Sequence, residues 1–297
     1  MTHAAPTQEH PMIAVTGATG QLGRLTVLAL LEQGVPARNL VAIVRTPSKA
    51  ADLAAKGVVV REGDYSKPPT LDAALVGVEK LLLVSSSELG RRATQHAVVI
   101  AAAKKAGVKL LAYTSVLHGE RSPLALAGEH IATEQALKAS GVPYVLLRNG
   151  WYHENYTANL ASSLAHGFVG SAGEGRIAGA ARADFAAAAA TVLTSPGHEG
   201  KAYELAGAPF TMAEYVAEVA KQTGKTLSYT NLPSEAFRGI LVGAGLPAPV
   251  ADIYVDADVQ IAKGALDDSS GDLARLVGRP LVPLSASVAT ALAALAG

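Results

Sequence analysis

The chain has 297 residues, with 25 Lys and Arg balanced by 25 Asp and Glu, and is 49% hydrophobic and 17% charged. That composition belongs to a folded globular protein with a sizeable core, and it excludes a disordered chain and a basic nucleic-acid surface. The absence of cysteine excludes disulfides, thiolate catalysis and cysteine-ligated metals, and suits a reducing cytoplasm.

Residues 1–11 are polar and read as a mobile tail, not as a signal peptide or anchor. No later run resembles a membrane span: the alanines at 186–190 form a short run, flanked by Asp184 and His198. Residues 12–23, MIAVTGATGQLG, organise the rest of the chain. Ile13, Ala14 and Val15 have the content of a short buried strand. Gly17, Gly20 and Gly23 come next, and then leucines at helical spacing up to Gly34. Strand, glycine turn and helix in that order point to phosphate binding. The first glycine permits a sharp turn, the second a close approach of backbone to a pyrophosphate, and the third tight packing of helix on strand. Free N–H groups and the helix dipole then face the anion. The spacing is Gly-x-x-Gly-x-x-Gly, so a tight turn without a ligand is the alternative.

Residues 40–44 are a second buried strand, ending at Arg45 with Lys49 four positions on. In a dinucleotide fold this strand end meets the adenosine ribose. A carboxylate there bonds the 2′-hydroxyl, whereas a guanidinium holds a 2′-phosphate. The cofactor expected is therefore NADPH, with Arg45 and Lys49 at the phosphate. Residues 49–56 read as a helix and 58–60 as a third strand. Asp64 beyond it either accepts from the adenine amino group or caps the helix at 70–74. A fourth strand at 80–84 leads to Ser85, Ser86 and Ser87, which either bond the ribose or cap the next helix.

Residues 92–106 read as a helix, 110–114 as a strand reaching Thr114 and Ser115, 129–140 as a helix stopped by Gly141, and 142–147 as a sixth strand. The alternation implies an α/β fold with a Rossmann-type, doubly wound parallel sheet. Its ligand crevice lies beyond the C-terminal strand ends, where the segments after strands one, two, four, five and six converge. Past Tyr156 the pattern changes: a helix near 157–166, a glycine-rich link at 167–179, an alanine-rich helix to Leu193 and a strand at 201–205. Thr211 with Glu214 three residues on forms a capping box for a helix to Thr223. Beyond it come a strand at 227–230, a helix at 234–242 and a turn at 243–247. The expected division is an NADP-binding domain at 12–155, with a return segment near 180–207, and a smaller substrate-side lobe over most of 156–297.

The stretches VTGATGQLG (15–23), KLLLVSSSE (80–88), AYTSVLH (112–118), LLRNGWYHENY (146–156), YELAG (203–207) and LVGRP (276–280) resemble the NmrA-like, atypical short-chain dehydrogenase/reductases. Among them the chain is most similar to the bacterial NADPH:quinone reductases, with triphenylmethane-dye reductase a near relative. The glycine motif is widely shared; LLRNGWYHENY is far more specific. The resemblance implies direct hydride transfer from NADPH to a quinone, without flavin. It also implies that Gly17, Ala18, Thr19, Gly20, Gln21 and Leu22 line the cofactor, with Arg45 and Ser85 to Ser87. Gly150, Trp151, Tyr152, His153, Glu154 and Asn155 join them, with Arg182 at the cofactor or substrate mouth.

One departure stands out. The Tyr-x-x-x-Lys pair of most short-chain dehydrogenases aligns with Leu126 and His130, so it is absent. Quinone reduction needs it less, because the product is a stabilised phenolate. His130 is a candidate proton donor, its alternative being ribose bonding or packing. Tyr152 and Asn155 are candidates to orient the acceptor, and Trp151 either stacks on a quinone or packs in the core. His118 and His153 have no carboxylate or histidine at ligand spacing, so no metal is expected. The expected partner is a small quinone-like acceptor, with no nucleic acid or membrane, and a homodimer is the assembly the resemblance allows. Other readings are an NADP(H)-binding redox sensor without turnover, and an NADPH reductase of ketones, imines, enones or triphenylmethane dyes.

Overall fold

The computed structural model describes residues 11–296, so all of the expected tail except Pro11 lies outside the described residues. The strands are β1 (Ile13–Thr16), β2 (Leu40–Val44), β3 (Val59–Glu62), β4 (Lys80–Leu83), β5 (Leu110–Val116), β6 (Tyr144–Asn149), β7 (Phe168–Gly170), β8 (Ala202–Leu205) and β9 (Tyr229–Asn231). Between β1 and β6 run α1 (Gln21–Glu32), α2 (Ala51–Ala55), α3 (Pro68–Ala74), α4 (Arg92–Ala106) and α5 (Ala127–Ser140). Then come α6 (Glu154–Thr157), α7 (Leu160–His166), α8 (Arg182–Thr194), α9 (Met212–Thr223) and α10 (Ser234–Gly243). The chain closes with α11 (Ala248–Ile261), α12 (Asp272–Val277) and α13 (Leu284–Ala296).

Seven strands form one sheet in the order β3-β2-β1-β4-β5-β6-β8, and β7 pairs with β9 in a separate ribbon. The pairs β1–β2, β1–β4, β2–β3 and β4–β5 are parallel. Strands β1, β2 and β5 are buried along their whole length, as parallel strands covered on both faces must be. The order reverses at β1, with β2 on one side and β4 on the other, which opens a crevice beyond their C-terminal ends. This is the doubly wound α/β fold expected from the alternation.

The chain forms two compact units. The first holds the segment ending at Thr114, with Thr133–Leu146 and Ala189–Lys201. Its core joins Ala14, Val41, Ile43, Leu81 and Tyr113 from strands to Leu71 and Val99 from helices. Each large aliphatic side chain among them contributes about 1.5–3 kcal/mol of burial. The second unit holds Ser115–Ala132, Leu147–Ala188 and the chain from Ala202 onward. Its core gathers Leu160, Phe168, Phe210, Tyr215, Val219 and Ile261. In that unit α9 begins at the expected capping box: Thr211 Oγ1 accepts from Glu214 N, and Glu214 Oε2 accepts from Thr211 N.

Several element boundaries differ from the sequence reading. The helix expected at 49–56 opens as a 3₁₀ turn at Pro47–Ala50 and leaves only Ala51–Ala55 as α-helix. Strand β6 starts at Tyr144 and not at Val142, because Pro143 has no N–H to give a ladder. The helix expected at 157–166 is two, α6 and α7, with Asn159 at the junction. The glycine-rich link contains β7, whose partner β9 lies far downstream, so that the pairing has no local signature. Helices α11, α12 and α13 have no counterpart in the sequence reading.

Candidate nucleotide-binding site

The site is built on the β1–α1 corner of the first unit. After Thr16 the backbone enters the left-handed region at Gly17, φ +58°, where glycine alone is unstrained. Gly20 N donates to Gly17 O at 2.8 Å and closes the turn. A Cβ on Gly23 would collide with the Gly17 carbonyl, so the third glycine is what lets α1 pack there. Gly20 caps α1 without a side-chain bond, and the first turn carries no acid. The N–H groups of Gln21, Leu22 and Gly23 therefore have no intrahelical acceptor, and the positive end of the helix dipole is uncompensated. Ala18 is buried and its N–H donates to Ile43 O at 3.3 Å, tying the corner to β2.

A cleft of about 790 Å³ lies over this corner. Gly17, Thr19, Gly20, Gln21 and Leu22 line one side, and Arg45 and Lys49 stand at the end of β2. Asp64 and Tyr65 enter after β3, and Ser85 to Glu88 after β4, with Gln95 from α4. Beneath the cleft, Tyr65 Oη lies 2.5 Å from Thr16 Oγ1 and 2.8 Å from Val84 O. Thr16 Oγ1 in turn donates to Leu82 O and accepts from Val84 N. Burial pushes the Tyr65 phenol up, so it remains a protonated donor linking the ends of β1 and β4.

The serine loop is pinned from behind. Ser85 N donates to Thr114 Oγ1 at 2.8 Å, and Ser86 N donates to His96 Nε2 at 2.9 Å. His96 Nε2 is thus an acceptor, and its proton sits on Nδ1, 2.9 Å from Thr133 Oγ1. Burial, with the Arg92 charge, pushes His96 down to about 3, so the ring is neutral. The capping alternatives for Asp64 and the serines do not occur. Lys67 and Arg91 are the N-cap residues of α3 and α4. Asp64 Oδ1 instead closes a local turn on Ser66 N at 2.8 Å.

In the second unit, Gly150 N donates to Leu205 O at 2.7 Å. Trp151 is partly buried against the apolar core of that unit. Tyr152 packs edge-on to Phe185 and accepts from Asn149 Nδ2, and the Arg182 guanidinium lies over its ring, 4.6 Å from the centroid. Burial raises the Tyr152 phenol above its usual value. Both Glu154 oxygens accept from Arg182 N at 3.0 Å, so this carboxylate sits on the N-terminus of α8. His153 is buried, its Nδ1 2.9 Å from Ser287 Oγ. Asn155 N donates to Tyr152 O, and His130 is buried on α5, as is Ser115 at the end of β5. His118 does have a carboxylate beside its ring: Asp268 Oδ2 lies 3.3 Å from Nε2. The partner is 150 residues away, beyond any local spacing rule. Among the described residues no cluster of three or more potential ligands could hold a metal.

Tyr65, Glu88, Gln95 and His96 are given no site role by the sequence. Tyr65 has a usable signal, since it follows Asp64 at a strand end. His96 looks like any helix residue until Ser86 and Thr133 are brought to it.

A switch-point crevice, a left-handed glycine corner and a bare helix start together define a Rossmann-type nucleotide-binding protein. A family model described as NAD(P)H-binding matches residues 17–196, and the chain belongs to that family. Quinone oxidoreductase 2 of Escherichia coli (strain K12) is 54% identical over 279 residues, 93% of this chain and 97% of that protein. NAD(P)H azoreductase of Xenophilus azovorans is 31% identical, covering 91% and 94%. The crystal structure of an Escherichia coli NADPH-dependent quinone oxidoreductase complexed with NADPH superimposes with a TM-score of 0.92 at 53% identity, covering 95% of this chain and all of that one. The Citrobacter sp. triphenylmethane reductase complexed with NADP(H) gives 0.89 at 41% identity, covering 94% and 99%.

Proposed function

We propose that this protein is an NADPH-dependent oxidoreductase that reduces quinones by direct hydride transfer, without flavin. The observation that carries the reading is the 54% identity, over nearly the whole of both chains, to a quinone oxidoreductase. The first unit fits the cofactor. The Gly17 turn and the bare N–H groups of α1 suit a pyrophosphate, and Arg45 and Lys49 stand where an adenosine 2′-phosphate would reach. Ser85 to Ser87 are its ribose-side contacts in this reading, with Asp64 toward the adenine. For the second unit, the reading keeps residues 150–155 and Arg182 as cofactor contacts.

When bound, NADPH supplies the hydride. The protein's own residues bind, orient and manage the proton. Tyr152, held protonated by burial, and Asn155 orient the acceptor. His130 donates the proton, a task that a phenolate product makes undemanding. Holding the acceptor in place supplies much of the remaining acceleration. Among the described residues no helix is long and apolar enough to cross a membrane. A cytoplasmic location and a homodimer belong to the same reading.

The test is loss of the NADPH absorbance band with a panel of quinones, ketones and dyes. Rapid quinone-dependent oxidation is the expected result. Tight NADPH binding with no oxidation by any acceptor would replace the reading with a redox sensor. Arg45→Ala is expected to weaken NADPH by about 10-fold or more and NADH by much less, since only NADPH carries the phosphate. Equal losses would remove the argument for Arg45.

A further inference from the structure

Arg45 does not wait free in the cleft. Its Nη1 lies 3.1 Å from Glu88 Oε1. The other oxygen of Glu88 accepts from Arg91 Nη1 at 3.0 Å and from Gln95 Nε2 at 2.9 Å. Glu88 is therefore held on the α4 side by two donors while it reaches across to the end of β2. The Arg45 side chain is 70% exposed and that of Glu88 33%, so the pair is wet and easily exchanged. A phosphate arriving at Arg45 competes with this carboxylate for the guanidinium, and sits beside a charge of its own sign. A 2′-hydroxyl brings no charge and meets neither obstacle.

We infer that Glu88 is a specificity-determining residue, which competes with the adenosine 2′-phosphate for Arg45 and keeps the preference for NADPH over NADH below what Arg45 alone would give. The inference rests on the NADPH reading of the cleft.

The experiment is calorimetric titration of NADPH and NADH into the full-length protein, wild type and Glu88→Gln, at low and high salt. Glutamine keeps the size and one acceptor but removes the charge. The expected result is an NADPH dissociation constant about 3- to 10-fold lower, an NADH constant changed by less than about 2-fold, and a smaller difference at high salt. Glu88→Asp, whose arm is one methylene shorter and reaches less far toward Arg45, shifts the NADPH/NADH ratio in the same direction by less. The inference is overturned if Glu88→Gln weakens NADPH, leaves it unchanged, or moves both cofactors equally. It also falls if wild type binds neither cofactor, which removes the cleft reading as well. Tight wild-type NADPH binding with no response to Glu88→Gln removes Glu88 alone.

Discussion

His96 is buried on α4, with Ser86 N–H on one ring nitrogen and Thr133 on the other. Protonation would put the ring's second N–H hydrogen on Nε2, against the Ser86 N–H, and place a charge in the core. The folded value lies near 3, below the ordinary 6.5. Between those values the unfolded chain binds the proton and the folded one does not, so stability rises with pH. The contribution of His96 is complete above pH 6.5 or so and drains away as pH falls toward 3. Urea denaturation of wild type and His96→Gln at intervals from pH 7 to pH 4 checks this. Wild type is expected to lose more stability over the range, because glutamine does not titrate there. Parallel losses would mean that His96 is not the group responsible. No sequence pattern flags this residue: its partners lie 10 and 37 residues away and meet it only in the folded sheet. The glycine turn and the place of Arg45 in the cleft, by contrast, are readable because both follow from position beside a strand end.

At the scale of elements, the α1 corner and α10 give one substitution two opposite signs. At Gly23, an added Cβ meets the carbonyl of Gly17, which is backbone and cannot swing aside. Helix α1 must then lift off the corner. Gly23→Ala is expected to destabilise by about 1–3 kcal/mol, as overpacking does, and to weaken NADPH by misplacing the N–H groups. At Gly239, inside α10, an added Cβ has nothing within 4 Å. Gly239→Ala is expected to stabilise by about 0.5–1 kcal/mol, from helix propensity alone. Thermal melts of the two variants, with NADPH titration, separate packing from propensity. If both changed stability in the same direction, the close approach at Gly23 would not be the reason for its glycine. The elements legible in the sequence are those with strong local punctuation: the glycine corner, the capping box at Thr211 and the stop at Gly141. The missed ones lack it. Helix α13 is nearly all Ala, Leu, Ser and Val, with no polar face to give a period. The β7–β9 ribbon joins Phe168 to Tyr229, and exists only through that distant pairing.

At the scale of the whole molecule, the first unit is closed by a piece of chain that arrives late. Residues Ala189–Lys201 come after Leu147–Ala188, a long segment spent in the second unit. They then supply much to the first. Ala189, Ala190, Val192 and Leu193 are buried. Lys80 Nζ donates to Leu193 O at 2.7 Å, and Thr194 Oγ1 donates to Gln33 Oε1 at 3.1 Å. Leu146 N donates to Lys201 O and Gly200 N to Tyr144 O, which gives β6 its neighbour on that side. A fragment stopped at Asn155 would keep the whole glycine corner, Arg45 and the serine loop, yet lose every one of these contacts. Burying two aliphatic side chains is worth about 3–6 kcal/mol, a large share of the roughly 5–15 kcal/mol that holds a typical domain. Leaving the backbone groups of β6 unpaired adds to the loss. The fragment is therefore expected to accumulate as insoluble or partly folded protein, without a cooperative melt by circular dichroism and without measurable NADPH binding, although it carries the complete nucleotide motif. A fragment that melts cooperatively and binds NADPH within about 10-fold of the full chain, roughly 1.4 kcal/mol, would show that the late segment is dispensable and that the nucleotide cleft folds on local sequence alone.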